Sequence, residues 1–202
     1  MAIVYPLAFP GGDYIEAVRF QSVDAVGLSV SPYTYQQQVY DYQVGTWTVD
    51  IDLRFLDRVE AMPIISWLNK LRGQFGTFTM GDVITALPQG VATGTPLVKG
   101  ASQTGFSLIT DGWTNSTTNI LKAGDFFQIN NYLYRNLTDV NSNGSGNATL
   151  DIWPHLKSHA DNSSIVTGSP KGLWRLNKGT QVSQLIDKQK TFVITVSADE
   201  AL

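Results

Sequence analysis

Apolar and polar residues alternate strictly from Trp47 to Phe55, and this is the clearest periodicity in the chain. A period of two residues predicts a strand with one buried face and one solvated face. After Leu56 the pattern changes to the i, i+3, i+4, i+7 spacing of an amphipathic helix, formed by Ile64, Trp67, Leu68 and Leu71. The pattern therefore predicts a strand that is followed directly by a helix.

The residues around this helix predict its ends. Asp57 and Glu60 have the spacing of a capping box, and Gly73 is suited to a left-handed stop. Pro63 predicts either a kink or a helix that begins at that residue. Beyond the stop, residues 74–81 have the composition of a second short strand. The predicted scaffold consists of the strand that begins at Trp47, a helix near residues 57–72 and the second strand.

Two clusters of glycine and proline divide the chain. Pro88, Gly90, Gly94, Pro96 and Gly100 follow the scaffold at close intervals, and a second cluster spans residues 168–172. Between them, several short apolar runs separated by turn residues predict a small β-barrel or sandwich. After residue 170 the chain returns to strand-like segments. The economical interpretation is a first domain of residues 1–86 and 170–202, interrupted by an inserted β-barrel domain of residues 87–169.

The N-terminal part predicts elements at the edge of the first domain. Residues 1–12 are apolar but contain two prolines and a Gly-Gly pair, which suggests an ordered arm that packs on a neighbouring subunit. Residues 13–21 and 25–30 predict two short strands. Residues 33–43 alternate with polar side chains on both faces, which is typical of an edge strand or a strand between subunits. A solvated hairpin arm that contacts nothing explains this last segment equally well.

The composition argues against several kinds of binding partner and site. Only 15% of the 202 residues are charged, and the formal net charge is −3, so no basic surface for nucleic acid or anionic lipid is expected. The sequence has no cysteine, which excludes disulfides, thiolate metal sites and a cysteine nucleophile. We find no signal-peptide pattern near Met1 and no apolar run of membrane-spanning length, and therefore expect a protein made in the cytoplasm.

Candidate catalytic and metal-binding groups are few. His155 and His159 have i, i+4 spacing, but Pro154 and the polar segment after them disfavour a helix, so two exposed loop histidines are expected instead of a metal site. Asp50 and Asp52 fit the wet face of the alternating strand better than a glycosidase pair. Nucleophile-elbow, phosphate-loop and dinucleotide motifs are missing from the sequence. We expect no catalytic, metal or cofactor site and no enzymatic activity.

Aromatic residues of the middle segment offer one binding hypothesis. Trp113, Tyr132 and Tyr134 could stack on the sugar rings of a host-surface glycan if they share an exposed face. Burial in the core of the barrel is the competing interpretation, and it is the usual fate of aromatic residues on strands.

The middle segment also resembles a known family. Residues 120–129 (ILKAGDFFQI), 132–135 (YLYR) and 148–156 (ATLDIWPHL) occur in the order found in the inserted domain of the distal tail protein (Dit) family of siphophages. The flanking segments 73–82, 171–175 and 197–202 are similar to that family as well. The resemblance covers nearly the whole chain from Trp47 onward and is weakest before it.

This resemblance implies a structural virion protein of the phage tail tip or baseplate. It implies a β-rich ring-forming domain with one helix that assembles as a homohexamer, and an inserted domain like an OB-fold or galectin barrel. The implied partners are the tail tube protein, the tail-tip hub protein and tail fibres. The two-faced segment would then supply the subunit interface, through Tyr33, Tyr35, Gln37 and Val39.

Two other functions compete with this one. The alternative is a carbohydrate-binding module that recognises host glycan through the inserted barrel. A cell-wall-degrading enzyme is a remote third, because the sequence lacks a recognisable acid and base pair. Neither nucleic acid nor membrane insertion is expected under any of the three.

Overall fold

The protein is mainly β with a single α-helix in its described part, as the sequence predicts. The computed structural model describes residues 3–84, 86–178, 185–186 and 191–201. In chain order the elements are β1 (Leu7–Ala8), a 3₁₀ helix (Gly12–Tyr14), β2 (Ile15–Val30), β3 (Gln37–Leu53), α1 (Arg58–Leu71), β4 (Phe78–Gly81), β5 (Gly94–Val98), β6 (Ser107–Trp113), β7 (Phe126–Ile129), β8 (Tyr132–Asn136), β9 (Ala148–Trp153), β10 (Ile165–Val166), β11 (Lys171–Leu176), β12 (Leu185–Ile186), β13 (Phe192–Val193) and β14 (Thr195–Glu200).

The first sheet has six strands in the order β1-β4-β11-β14-β3-β2, and all of its pairs are antiparallel except β1 with β4. The alternating residues of β3 place Trp47, Val49, Ile51 and Leu53 on the buried face. Helix α1 contributes its apolar stripe to the same core. The strand and helix therefore pack together as the two sequence periods predict.

The ends of α1 are set by local chemistry. The Glu60 backbone N–H donates to Asp57 Oδ1 at 2.9 Å, and the Asp57 N–H donates to Glu60 Oε2 at 3.2 Å, which confirms the capping box. Pro63 lies inside the helix, so the alternative of a start at Pro63 is wrong. The left-handed cap is Arg72 (φ 53°), one residue before the predicted Gly73, which is also left-handed.

The N-terminal arm belongs to its own sheet. β1 pairs in parallel with β4, and the Tyr5 hydroxyl donates to the Lys70 carbonyl at 2.6 Å. The arm therefore forms an edge strand of its own sheet, where β4 satisfies its backbone groups, and its packing on a neighbour stays a prediction.

The second sheet has six antiparallel strands in the order β10-β7-β8-β9-β6-β5 and is nearly closed into a barrel. Closure comes from the Leu97–Ser164 bridge and from the Val98 N–H, which donates to the Ser163 carbonyl. A two-residue turn at Asn130-Asn131 joins β7 to β8, and Asn130 has a positive φ, which asparagine tolerates better than most residues. This sheet encloses its own apolar core.

The chain leaves the first sheet after β4 and returns to it at β11, the strand beside β4. The outgoing connection, after β4, and the returning connection, before β11, lie side by side. The Ser169 N–H donates to the Ala86 carbonyl at 2.7 Å between them. Glycine is required at position 81, since a Cβ there would lie 1.8 Å from the Pro170 carbonyl oxygen. The boundaries predicted for the inserted domain, 86/87 and 169/170, fall in these connections.

Candidate assembly surface

Strands β2 and β3 continue far beyond the rest of their sheet as a two-stranded ribbon, residues 23–46. β14 pairs with β3 only from Thr48 to Asp52, and β2 is the last strand of the sheet. Among the described strands, none pairs with the outer edge of β2 or with the outer edge of the ribbon part of β3. The ribbon therefore presents backbone donors and acceptors along both of its edges.

The ribbon is bent near its base by an irregularity in pairing. Asp24 pairs with Gly45 and Val26 pairs with Asp41, so that Ala25 alone lies opposite residues 42–44. Gln43 adopts a positive φ of 54°, and its backbone N–H donates to Asp41 Oδ1 at 2.7 Å. A bulge of this kind increases the local twist and redirects the strand. The bulge therefore separates the base of the ribbon from its outer part.

One face of the outer ribbon is aliphatic in its middle, with the polar residues Asp41 and Gln37 at its two ends. Leu28 lies opposite Val39, flanked by Val26 and Val30 on the same face. Leu28 and Val39 are 59% and 61% exposed, and no charged residue occurs between Asp24 and Asp41 in the sequence. The opposite face carries Tyr40, and the Tyr42 ring packs near Gly27. Exposed apolar surface concentrated on one element is typical of a protein–protein interface.

The four predicted interface residues all lie on this ribbon and are all exposed. Gln37 and Val39 lie on β3, but Tyr33 and Tyr35 lie in the turn between the strands, so the prediction of a strand beginning at residue 33 is wrong. The turn is closed by hydrogen bonds from the Ser31 N–H to the Gln36 carbonyl and from the Tyr35 N–H to the Ser31 carbonyl. Sequence reasoning missed Val26, Leu28 and Val30, although their alternation was the available signal.

The base of the ribbon is fixed by contacts with the second sheet. The Trp153 indole N–H donates to Asp24 Oδ1 at 2.7 Å, and the Trp153 ring lies edge-on to Trp47 with 4.3 Å between ring centroids. Gly45 allows this close approach, because a Cβ there would lie 3.0 Å from the Trp153 ring and the ring would have to move slightly. The base of the ribbon is therefore held against the second sheet by Trp153.

Glu200 is buried at the same junction. Its Oε2 accepts hydrogen bonds from the Trp47 backbone N–H at 3.2 Å and from the Thr46 hydroxyl at 3.4 Å. Burial raises the pKa of the Glu200 carboxyl above its ordinary value of 4.5, while these hydrogen bonds and the Lys157 charge oppose the rise. The folded protein is therefore less stable when the Glu200 carboxyl is ionised than when it is protonated.

This carboxyl gives a pH-dependent prediction. A raised pKa in the folded state stabilises the protein fully below pH 4.5, and that contribution is lost as the pH rises through the folded pKa. Glu200→Gln keeps an acceptor oxygen but cannot ionise. The variant should therefore gain stability relative to wild type as the pH rises from 4 to 7. Urea denaturation across this range measures the difference.

Glu16→Gln, at an exposed carboxylate of the same sheet, controls for the removal of one negative charge. A constant difference between wild type and Glu200→Gln at every pH would contradict the assignment.

The predicted glycan contacts are mostly buried. Trp113 is 3% exposed and its indole N–H donates to Thr110 Oγ1, while Tyr134 is 0% exposed. Neither ring offers a face on which a sugar can stack, because both fill the core of the second sheet. Only Tyr132, which is half-buried, retains exposed surface. The structure thus favours the competing interpretation of these aromatics as barrel core.

His159 is buried, contrary to the prediction of an exposed loop residue. Its Nε2 lies 2.9 Å from the Tyr134 hydroxyl and its Nδ1 lies 3.2 Å from Asn130 Nδ2. Burial lowers the pKa of this imidazole and raises the pKa of the Tyr134 hydroxyl. His155 is half-buried and accepts a hydrogen bond from the Gly105 N–H. Within the described residues, no group of three or more His, Cys, Asp or Glu side chains could hold a metal ion.

Comparison with protein-family models and with curated proteins gives no match for this chain. None of the helices in the described part is long and apolar enough to span a membrane.

Proposed function

We propose that this chain is a structural component of a phage tail tip that forms a homohexameric ring at the distal end of the tail tube. In this role it would join the tail tube protein to the tail-tip hub protein and the tail fibres. The observation that carries the proposal is the exposed ribbon of residues 23–46, which carries no charged residue between Asp24 and Asp41. Residues 25–40 of the ribbon have no buried face and no third strand among the described residues, so a partner that covers them is favoured.

The position of the ribbon suits contact with a second copy of the chain. It combines an aliphatic face with free strand edges, and a strand edge can add to a sheet of another subunit. Contact between the ribbon of one subunit and a different surface of the next is heterologous, and such contacts form closed rings when the rotation allows it. The number of subunits and the tail partners come from the family resemblance of the sequence.

A charged side chain on the aliphatic face should prevent assembly. Leu28→Asp or Val39→Asp places a carboxylate on a surface that is open to water in the monomer but covered in the ring, so each variant should fold and stay monomeric. Wild-type protein should give closed rings by negative-stain microscopy and the native mass of a hexamer of the 22.1 kDa chain. The loss of assembly should exceed tenfold in the concentration required, which corresponds to about 1.4 kcal/mol.

Val91→Asp is the matched control, since Val91 is 59% exposed but lies outside the ribbon. If the wild-type protein is monomeric when pure, tail tubes are added as a template and ring formation on the tube is measured. Monomers in both conditions, or rings that persist in both ribbon variants, would contradict the proposed role of the ribbon.

The location in the particle is tested separately. Antibodies against the chain should label the distal tail end of purified virions. Failure to detect the chain in purified particles would contradict the tail-tip function even if rings form in solution. We propose no enzymatic activity and no cofactor. The glycan-binding alternative draws no support from Trp113 and Tyr134, because both are buried.

A further inference from the structure

A cavity of about 330 Å³ lies between the two connections that join the sheets. Its described lining includes Asp82 and Gln89 from the outgoing connection, Thr167 and Pro170 from the returning one, and Phe126 and Arg135 from the second sheet. This volume is at the lower end of the range for small-molecule sites. The cavity therefore has room for one small ring-shaped ligand.

Arg135 is the basic side chain in the described lining of this cavity. The guanidinium carbon lies 4.3 Å from the centroid of the Phe126 ring and 4.9 Å from that of the Trp47 ring. These two cation–π contacts hold the group in place. Its Nε is buried and has no hydrogen-bond partner among the described residues, and no described carboxylate forms a salt bridge with it. Guanidinium is a planar fork of five N–H donors, and the Nε–H, which has no acceptor among the described residues, is a donor that a ligand could use.

The charges around the cavity favour a neutral ligand over an anion. Asp82 and Asp125 line the same space as Arg135. The Asp125 carboxylate is held by the backbone N–H groups of Gln89, Gly90 and Lys122. Asp82 interacts electrostatically with Arg135 and raises its pKa, although the larger effect of burial lowers that pKa. An anion would gain from Arg135 but would be repelled by the two carboxylates.

The remaining lining has aliphatic residues that suit the C–H groups of a sugar ring, and two uncharged polar side chains. Ala86, Leu87, Pro88 and Pro170 contribute aliphatic surface, and Phe126 contributes part of its ring. A pyranose has hydroxyl groups around its edge and C–H groups on its faces. Its hydroxyl oxygens could accept from Arg135, while the Gln89 amide and Thr167 hydroxyl can both donate and accept.

We propose that this cavity binds one neutral pyranose ring, with the Arg135 guanidinium as its principal hydrogen-bond donor. The site lies at the junction of the two sheets and is distinct from the aromatic residues of the barrel core.

Saturation-transfer difference NMR of the full chain tests the proposal, since this method works for monomers and large assemblies alike. The probes are the methyl glycosides of glucose, galactose, mannose and N-acetylglucosamine, with acetate as the anionic probe. At least one glycoside should receive saturation, and its affinity should fall at least tenfold in Arg135→Lys, which keeps the charge but loses the planar fork.

Ala86→Phe provides an independent variant, because it fills the cavity and leaves the Arg135 side chain unchanged. It should abolish the glycoside signal, whereas Ala101→Phe, at an exposed residue outside the cavity, should leave it unchanged. Thermal denaturation verifies that each variant is folded.

Three results would overturn the proposal. The first is no saturation transfer to any of the four glycosides. The second is binding of acetate in preference to all of them, which would assign an anion site. The third is a glycoside signal that persists in Ala86→Phe, which would place the binding elsewhere.

Discussion

Replacing Trp47 with alanine should lower the free energy of unfolding by about 3–5 kcal/mol, the usual cost of removing a buried large aromatic side chain. Trp47 is 1% exposed and lies on β3, yet its indole N–H donates to the Leu133 carbonyl on β8 at 2.9 Å. Its ring also contacts Trp153 and the Arg135 guanidinium, both from the second sheet. Truncation would remove contacts from both sheets and leave the Leu133 carbonyl without its donor.

Hydrogen exchange distinguishes this joining role from ordinary core packing. In Trp47→Ala, amide exchange should accelerate both in β3 and in β8 and β9, because the side chain connects these elements. Trp113→Ala is the matched control: Trp113 is equally buried, but its ring and its hydrogen bond to Thr110 lie within the second sheet. Its acceleration should be confined to that sheet. Acceleration restricted to β3 in Trp47→Ala would show that the tryptophan does not join the two sheets.

Elements determined by local chemistry were predictable from the sequence. The capping box of Asp57 and Glu60 needs only residues three apart, and the β3 alternation needs only one buried face. Short strands of the second sheet follow the same rule: the apolar residues of Ala148–Trp153 alternate along the strand. In each case, the interactions that define the element are encoded within a few residues.

The ribbon was predictable only in part because its two faces are not distinguished by burial. Register is strongly specified where one face must be buried, and residues 25–40 have no buried face. The sequence therefore gave no indication that Ala25 lies opposite three residues, or that Tyr33 and Tyr35 form a turn. The exposed apolar face became evident only once the pairing of Leu28 with Val39 was known.

Burial of individual polar and aromatic residues depends on contacts distant in sequence. His159 has the sequence context of an exposed loop residue, but Asn130 and Tyr134 enclose it from the β7–β8 hairpin. Arg135 was not predicted as a binding residue, because Trp47, which covers it, is far away in the chain. Such contacts require the three-dimensional arrangement of both sheets.

Removing the Asp125 carboxylate should have a comparably large effect, through buried hydrogen bonds instead of packing. Oδ1 accepts from the Gln89 N–H at 2.7 Å, and Oδ2 accepts from the Gly90 N–H at 3.0 Å and the Lys122 N–H at 2.8 Å. These hydrogen bonds are partly buried, so each donor left without a partner costs at most about 1–3 kcal/mol, and the three losses are not additive since they share one side chain. We expect Asp125→Ala to lower the free energy of unfolding by roughly 3–5 kcal/mol.

The effect should be concentrated where the chain passes from the first sheet to the second. Asp161→Ala is the control, because the exposed Asp161 carboxylate accepts from one backbone N–H only, that of Gly100 at 2.6 Å. Urea denaturation gives the stability of both variants, and hydrogen exchange at Gln89, Gly90 and Lys122 shows whether the connection itself has loosened. Equal destabilisation by the two substitutions would contradict a special role for Asp125. A selective loss at Asp125 would mean that one carboxylate fixes the outgoing connection against the second sheet, and with it one wall of the cavity beside Arg135.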